Sequence, residues 1–256
     1  MSAPVSLRLR MCPDITIQEG ALFIADAHDC TERSFFFDFL LSIKENPPPQ
    51  LFLMGDMFDL LVGGITYRVN KYQHYIDLIN DISARTELFY FEGNHDFNLT
   101  TLFLHVKVIP IEQQPLLCKL PDGSVCLLSH GDRYGGKLHS IYTAWIRNKS
   151  VLKILGWIDV FLKGAISTQI EINQRQKNLC KKIGNFEALV EKKLIHYPLR
   201  GITHVIEGHY HQGNTFVING IKYINFTSFA CNQSYFSVQS SPETEFAQKQ
   251  LRGCNG

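Results

Sequence analysis

LFYFEGNHDF, residues Leu88 to Phe97, is a short apolar run of strand type that breaks at Gly93 and delivers Asn94, His95 and Asp96 together. Three polar groups at a strand's end suggest a site. Four other places repeat the arrangement. ALFIA (Ala21 to Ala25) precedes Asp26 and His28, LFLM (Leu51 to Met54) precedes Gly55 and Asp56, VCLLS (Val125 to Ser129) precedes His130, and HVIE (His204 to Glu207) precedes Gly208, His209 and His211. One edge of one sheet, or of two packed sheets, is therefore used five times.

Outward from that stretch the chain reads as β, ligand loop, α. Strands are expected at Ile15 to Ile17 and Ala21 to Ala25, then a helix through Phe35 to Ile43 capped at Thr31 and ended by Pro47 to Pro49. A strand from Leu51 and a helix from Tyr67 to Ala84 lead into Leu88. Hairpin-type strands follow at Val106 to Ile109, Leu116 to Leu120 and Val125 to Leu128. After His130 about seventy residues turn helical, with Leu138, Ile141, Tyr142, Trp145 and Ile146 at helix spacing and Val151 to Ile166 largely apolar. Strands resume at Thr203 to Glu207, and Asn219-Gly220 joins Thr215 to Ile218 and Ile221 to Asn225 as a hairpin. Beyond Ser240 a loose polar tail is expected.

With 256 residues, 45% apolar and 19% charged, the composition is that of a globular chain able to bury a large core. No apolar run is long enough to span a bilayer. The start, MSAPVSLRLRMCPD, lacks the apolar stretch of a secretory leader. The seven cysteines contain no C-x-x-C pair, so reduced thiols and a cytoplasmic location are expected, not a disulfide framework or zinc ribbon. The net charge of +1 hides an asymmetry: Arg133 to Arg200 holds 13 Lys and Arg against 4 Asp and Glu, and the remainder is acidic. That segment either presents a solvated helical surface or meets phosphates, lipid head groups or nucleic acid.

The loop residues Asp26, His28, Asp56, Asn94, His130, His209 and His211 are oxygen and imidazole ligands without a thiolate. Seven are too many for one ion and enough for two divalent ions sharing a carboxylate. Such donors suit Mn²⁺, with Fe or Zn²⁺ as the other candidates, better than Ca²⁺ or Cu⁺. D-x-H at Asp26, or His209 with His211, means little alone. G-D-x-x-D at Gly55 to Asp59 and G-N-H-D at Gly93 to Asp96 say more, because Gly turns the backbone tightly before a ligand.

D-x-H, G-D-x-x-D, G-N-H-D, H-G-D and G-H-x-H in this order resemble the calcineurin-like metallophosphoesterase superfamily, over roughly residues 20 to 230. The resemblance implies an α/β fold, a four-layer α/β/β/α metallophosphoesterase sandwich with a helical lid insertion. It implies one domain over 1–256, with the lid at 135–200. It also implies one ion on Asp26, His28 and His211, another on Asn94, His130 and His209, and Asp56 between them. His95 would face the scissile phosphate as acid or cationic donor, and Asp59 would orient it.

Within the superfamily the chain is similar to the UDP-2,3-diacylglucosamine diphosphatases of lipid A synthesis. The similarity rests on Phe58 inside G-D-x-F-D, Phe97 after the G-N-x-D loop, and the apolar, basic insertion. His95 departs from it, since that family usually has Arg there. The resemblance implies hydrolysis of a lipid-linked nucleotide to UMP and a lipid phosphate, with two divalent ions. It places the chain in the cytoplasm, peripherally on the inner leaflet of the inner membrane. Tyr142, Asn173, Arg175 and Lys177 are the candidate substrate-binding residues of the lid, and Ile154, Ile158 and Phe161 its acyl-chain contacts. A phosphatase or phosphodiesterase acting on a nucleotide or phosphoprotein is the alternative, followed by a non-catalytic scaffold. Nucleic acid is not expected, for the basic residues lie in apolar helices rather than among stacking aromatics.

Overall fold

Along β2 (Leu22–Ile24), β3 (Gln50–Leu53) and β5 (Glu87–Phe91) successive side chains point to opposite faces, and both faces are buried. That is why these runs are continuously apolar instead of alternating with polar residues. Phe23, Phe52, Phe89 and Phe91 face inward to a second sheet, and Phe52 stacks between Phe23 and Phe89 at 4.2 and 4.5 Å. Ile24, Leu51, Leu53, Leu88 and Tyr90 face outward, under α1 (Phe35–Glu45) and α3 (Gln73–Ser83). The computed structural model describes residues 15–30, 33–133, 146–240 and 243–251.

The first sheet runs β14-β13-β2-β3-β5-β7, with β7 (Lys107–Ile109), β13 (Ser234–Ser240) and β14 (Thr244–Gln250). Its β2, β3, β5 and β7 are parallel, so their C-terminal ends share one edge. The second sheet runs β1-β8-β9-β10-β12-β11. Its strands are β1 (Ile15–Thr16), β8 (Leu116–Lys119), β9 (Val125–Ser129), β10 (His204–Glu207), β11 (Asn214–Ile218) and β12 (Ile221–Asn225). Leu127, Val205 and Tyr223 on its outer face pack under α6 (Phe186–Leu194) through Phe186, Val190 and Leu194. These are the four layers α/β/β/α.

A separate floor is made by the short parallel pair β4 (Leu61–Val62) and β6 (Asp96–Phe97), beside α2 (Thr66–Lys71). Over it lie α4 (Lys149–Phe161) and α5 (Ala165–Arg175). The Asn148 side chain caps α4 by accepting from the Ser150 and Val151 amides. Gly156 lets α4 lie against the loop below, since a Cβ there would fall 2.5 Å from the Gly64 carbonyl oxygen. Buried Leu152 meets Val62, Ile65 and Phe97.

Four expectations are corrected. The helix read over 67–84 breaks at Tyr72 (φ −100°, ψ 14°), whose side chain turns inward and donates to the Asp29 carbonyl at 3.3 Å. The tail beyond Ser240 is not loose over the described residues: β14 pairs along all of β13, and Phe246 reaches Phe23 at 5.3 Å. It reads as polar because an edge strand shows one face to water. Ile154, Ile158 and Phe161 do not line the apolar cavity beside Asn94; α4 turns them outward, Phe161 84% exposed, because its other face carries Leu152 and Leu155. The cysteines are not all thiols, for Cys180 and Cys231 are joined in a disulfide. Cys231 lies on the short α7 (Phe229–Asn232) after β12. Thr31 and the helix read at Leu138 to Trp145 lie outside the described residues, Tyr142 included. Among the described residues no helix is long and apolar enough to cross a membrane.

Candidate metal centre

The five loops leave β2, β3, β5, β9 and β10 at the same edge of the two sheets. Ligating atoms of Asp26, His28 and His211 lie within 4.8 Å of one another, as do those of Asp56, His130 and His209. A third group of the same span, His28, Asp56 and His95, connects the two. Asp56 belongs to two of the groups, and its Oδ2 lies 3.4 Å from His130 Nε2 and 3.9 Å from His95 Nε2.

The backbone there is unusual. Asp26, His28, Asp56, His209 and His211 all sit at φ between 43° and 61°. Non-glycine residues rarely adopt this region, and each costs on the order of 1–3 kcal/mol that surrounding bonds must offset. Asp26 accepts the His209 amide at 2.9 Å, and the His28 amide donates to the Asp56 carbonyl at 3.0 Å. Asp96 is the main fastener: its carboxylate accepts from the Asp56, Met57 and Gly93 amides and from Tyr90 Oη, at 2.6 to 3.0 Å. Gly93 is needed for contact, since a Cβ on it would fall 2.2 Å from Asp56 Oδ1.

Main-chain carbonyls set the imidazoles. His130 Nδ1 lies 2.9 Å from the Met54 oxygen and His211 Nδ1 2.6 Å from the Leu179 oxygen. A carbonyl can only accept, so both rings carry Nδ1–H and turn Nε2 into the cluster; burial would lower both imidazoles, but Asp56 facing His130 and Asp26 facing His211 raise them, so a divalent ion would bind there in place of the Nε2 proton. Burial, with His130 alongside, holds the His209 imidazole down at about 4, and burial lowers His28 as well. Burial would raise the Asp56 carboxyl, but His130, His95 and His28 outweigh it and hold it well below the ordinary value. Neutral imidazoles and ionised carboxylates are the ligand-ready forms.

His28 Nε2, Asn94 Oδ1 and His130 Nε2 are buried without a hydrogen-bond partner. Left so, such atoms are destabilising by roughly 1–3 kcal/mol each. Unpaired lone pairs among oxygen and imidazole donors fit divalent ions, so this donor set suits the group that the sequence implies.

Asp59 differs from expectation in how it acts. Its main-chain carbonyl, not its carboxylate, meets His95 Nδ1 at 2.9 Å. The carboxylate lies 3.5 Å from His28 Nδ1 and is gripped by Arg33 Nη2 at 2.9 and 3.1 Å. Reading a carboxylate onto His95 overlooked that Asp59 leads into β4, which pairs with β6 just after His95, so the backbone arrives first.

The lid residues are dispersed. Asn173 is exposed and accepts from Gln169, Arg175 donates to Glu171 at 2.8 Å, and Lys177 is exposed beyond α5. Arg147, which sequence reasoning missed, does reach the site. Its Nη2 donates to the Gly93 carbonyl at 2.6 Å, and its guanidinium lies over the Phe97 ring and 3.8 Å from Asp132. Gln114, also missed, accepts the His130 amide at 2.7 Å. Neither stands in a motif; only Asp96, inside G-N-H-D, carried a local signal.

The two sheets and their helices form the four-layer α/β/β/α sandwich that the sequence leads one to expect. The chain is similar to the UDP-2,3-diacylglucosamine hydrolase of Blochmanniella floridana, 22% identical over 209 residues that cover 75% of this chain and 79% of that one. It is likewise similar to the enzyme of that name from Haemophilus ducreyi, 26% identical over 198 residues, 74% and 83% of the two chains. Among solved structures, a novel archaeal phosphodiesterase is 9% identical, with a TM-score of 0.45 over 90% of this chain and 99% of that one. No protein-family model matches.

Proposed function

We propose that the chain is a two-metal hydrolase that cleaves the diphosphate bond of UDP-2,3-diacylglucosamine, giving UMP and a lipid phosphate. One observation carries the choice of substrate: an apolar cavity of about 350 Å³ that begins at Asn94, beside the ligand cluster. Leu152 and Leu155 of α4 and Ile166 and Ile170 of α5 close it over Val62 and Phe97. A site for a small polar phosphoester has no use for such a wall, whereas acyl chains would fill it. The names of the relatives support the same substrate.

Asp26, His28 and His211 would hold one divalent ion and Asn94, His130 and His209 the other, with Asp56 shared. Two such ions, Mn²⁺ first, activate water and neutralise phosphate charge. The chain's own part in the reaction lies with His95. With Nδ1–H on the Asp59 carbonyl, its Nε2 is left to place a proton or positive charge at a phosphate oxygen. Arg33 and Asp59 keep His28 in place beneath it. The α4–α5 cover, read as the lid at 135–200 of a single domain, keeps water from the acyl chains. Its outer face, with Trp157 75% and Phe161 84% exposed beside Lys153 and Lys163, suits the anionic cytoplasmic leaflet and a peripheral location.

Purified protein with Mn²⁺, offered the UDP-linked diacyl sugar, an aryl phosphodiester and an aryl phosphomonoester, tests the reading. The diacyl sugar should be cleaved at least 10²-fold more efficiently than either aryl ester, the scale that binding and positioning of the remote chains can supply. Equal turnover of all three would remove the lipid substrate, and no turnover of any would remove the activity.

A further inference from the structure

We propose that Cys180 and Cys231 are positioning residues for the Asp26–His28–His211 set, and that their disulfide and the ion on that set stabilise each other. The inference rests on the metal reading above and deepens it.

The disulfide joins two segments, and each touches a different member of that set. The strap 179–183, between α5 and α6, lies along His211 and Gln212. The Leu179 carbonyl accepts His211 Nδ1–H at 2.6 Å, Lys182 Nζ donates to the Gln212 carbonyl at 2.6 Å, and the Ile183 amide donates to Gln212 Oε1 at 2.9 Å. On the other side, Ser228 Oγ donates to the Asp26 carbonyl at 2.7 Å, and the Phe229 and Ala230 amides donate to the Ala25 and Asp26 carbonyls at 2.9 and 3.2 Å. His211 Nε2 and Asp26 Oδ1 then face each other at 3.1 Å. Cys180 follows Leu179 directly, and Cys231 follows Ala230 directly.

Without the covalent link the strap is held mainly by partly exposed hydrogen bonds, which contribute only about 0.5–1.5 kcal/mol each. It would leave His211 part of the time, and the ring would lose the carbonyl that sets its tautomer. Loss of such an outer partner ordinarily weakens metal binding by roughly 10- to 100-fold. Linkage makes the effect mutual: if reduction weakens the ion by some factor, the ion must disfavour reduction by that same factor.

The redox partner is a glutathione-type thiol. One thiolate attacks the sulfur of Cys180, the more exposed residue of the pair, forming a mixed disulfide and releasing the Cys231 thiolate; a second thiol displaces Cys180 and leaves as oxidised glutathione. Two electrons pass to the protein, and two protons end on its cysteines.

The full-length protein is equilibrated in glutathione buffers of stepped ratio, with and without Mn²⁺, then acid-quenched and alkylated, and the two cysteines are scored by mass spectrometry. The ratio at half-oxidation should shift toward the disulfide by about 10-fold or more when Mn²⁺ is present. Calorimetric titration should find one of the two ions weakened by the same factor in the reduced protein and in the Cys180→Ser, Cys231→Ser double variant. Circular dichroism melting confirms that the variant is folded. An unshifted redox midpoint, superimposable isotherms in the two redox states, or thiols that oxidised glutathione never joins would each overturn the proposal while leaving the metal reading intact. Oxidised protein that takes up no ion would overturn both.

Discussion

Glu171→Gln probes the joint that holds α5 to the rest of the molecule. The Glu171 carboxylate, 2% exposed, accepts from Arg68, Lys71, Arg175 and Tyr72 Oη. Arg68 is itself buried and continues to Ser167 Oγ at 2.8 Å and Thr168 Oγ1 at 2.6 Å. Burial would raise the carboxyl, but Lys71, Arg175 and Arg68 outweigh it and bring it from 4.5 down to about 2. A folded-state value below the unfolded one means stability that is present above pH 4.5 and lost as the pH falls through 2. At about 1.4 kcal/mol per unit, the pairing is worth about 3 kcal/mol at pH 7, of which about 2 kcal/mol is gone at pH 3. Gln keeps the shape without the charge and leaves Arg68 buried, an independent route to about 3–5 kcal/mol. Urea unfolding at pH 7 should therefore show a loss of about 3 kcal/mol, and the gap between variant and parent should narrow by about 2 kcal/mol at pH 3. A loss below about 1 kcal/mol at pH 7, or a gap that acid leaves unchanged, would refute the reasoning, because either means the charge does not stabilise this joint.

His95→Ala should fold, keep two ions by elemental analysis and lose about 10²-fold or more in kcat, whereas His95→Arg should retain much of it if the leaving group is a phosphate that needs charge but no proton. Arg as inactive as Ala would make His95 a proton donor and weaken the diphosphate reading. Asp96→Asn places an amide among four donors; a loss of about 1–3 kcal/mol in urea unfolding together with weaker metal uptake is expected, and unchanged uptake would show that Asp96 does not hold the Asp56 loop. Leu155→Ser with Ile170→Ser should flatten the dependence of KM on acyl length, up to about 0.8 kcal/mol per buried CH₂ in the parent, and spare an aryl phosphodiester. The outward pair Trp157→Ser and Phe161→Ser should instead reduce sedimentation with anionic vesicles, and the opposite assignment of the two pairs would invert the reading of α4.

By itself the sequence singled out the polar residues at the strand ends, because a strand buried on both faces must be continuously apolar and must stop where a polar ligand begins. Asp26, Asp56, Asn94, His130 and His209 could each be read from the run before them, and Gly55 and Gly93 from the tight approach they permit. The tertiary structure alone decided how those residues are held. Five of the loop positions are left-handed, Asp59 meets His95 through its carbonyl, and Arg147, Gln114 and Leu179 come from segments remote in the chain. Each of these hydrogen bonds has a main-chain group on one side, which almost any side chain could accompany, so no local pattern records the pairing. For the same reason the apolar periodicity of 151–166 could announce a buried face but not its direction. Leu152 and Leu155 face the cavity and Trp157 the outside only because Gly64 and β4 lie on one side of α4. Periodicity carries an angle between residues; the neighbour that fixes the angle's origin is a matter of tertiary contact.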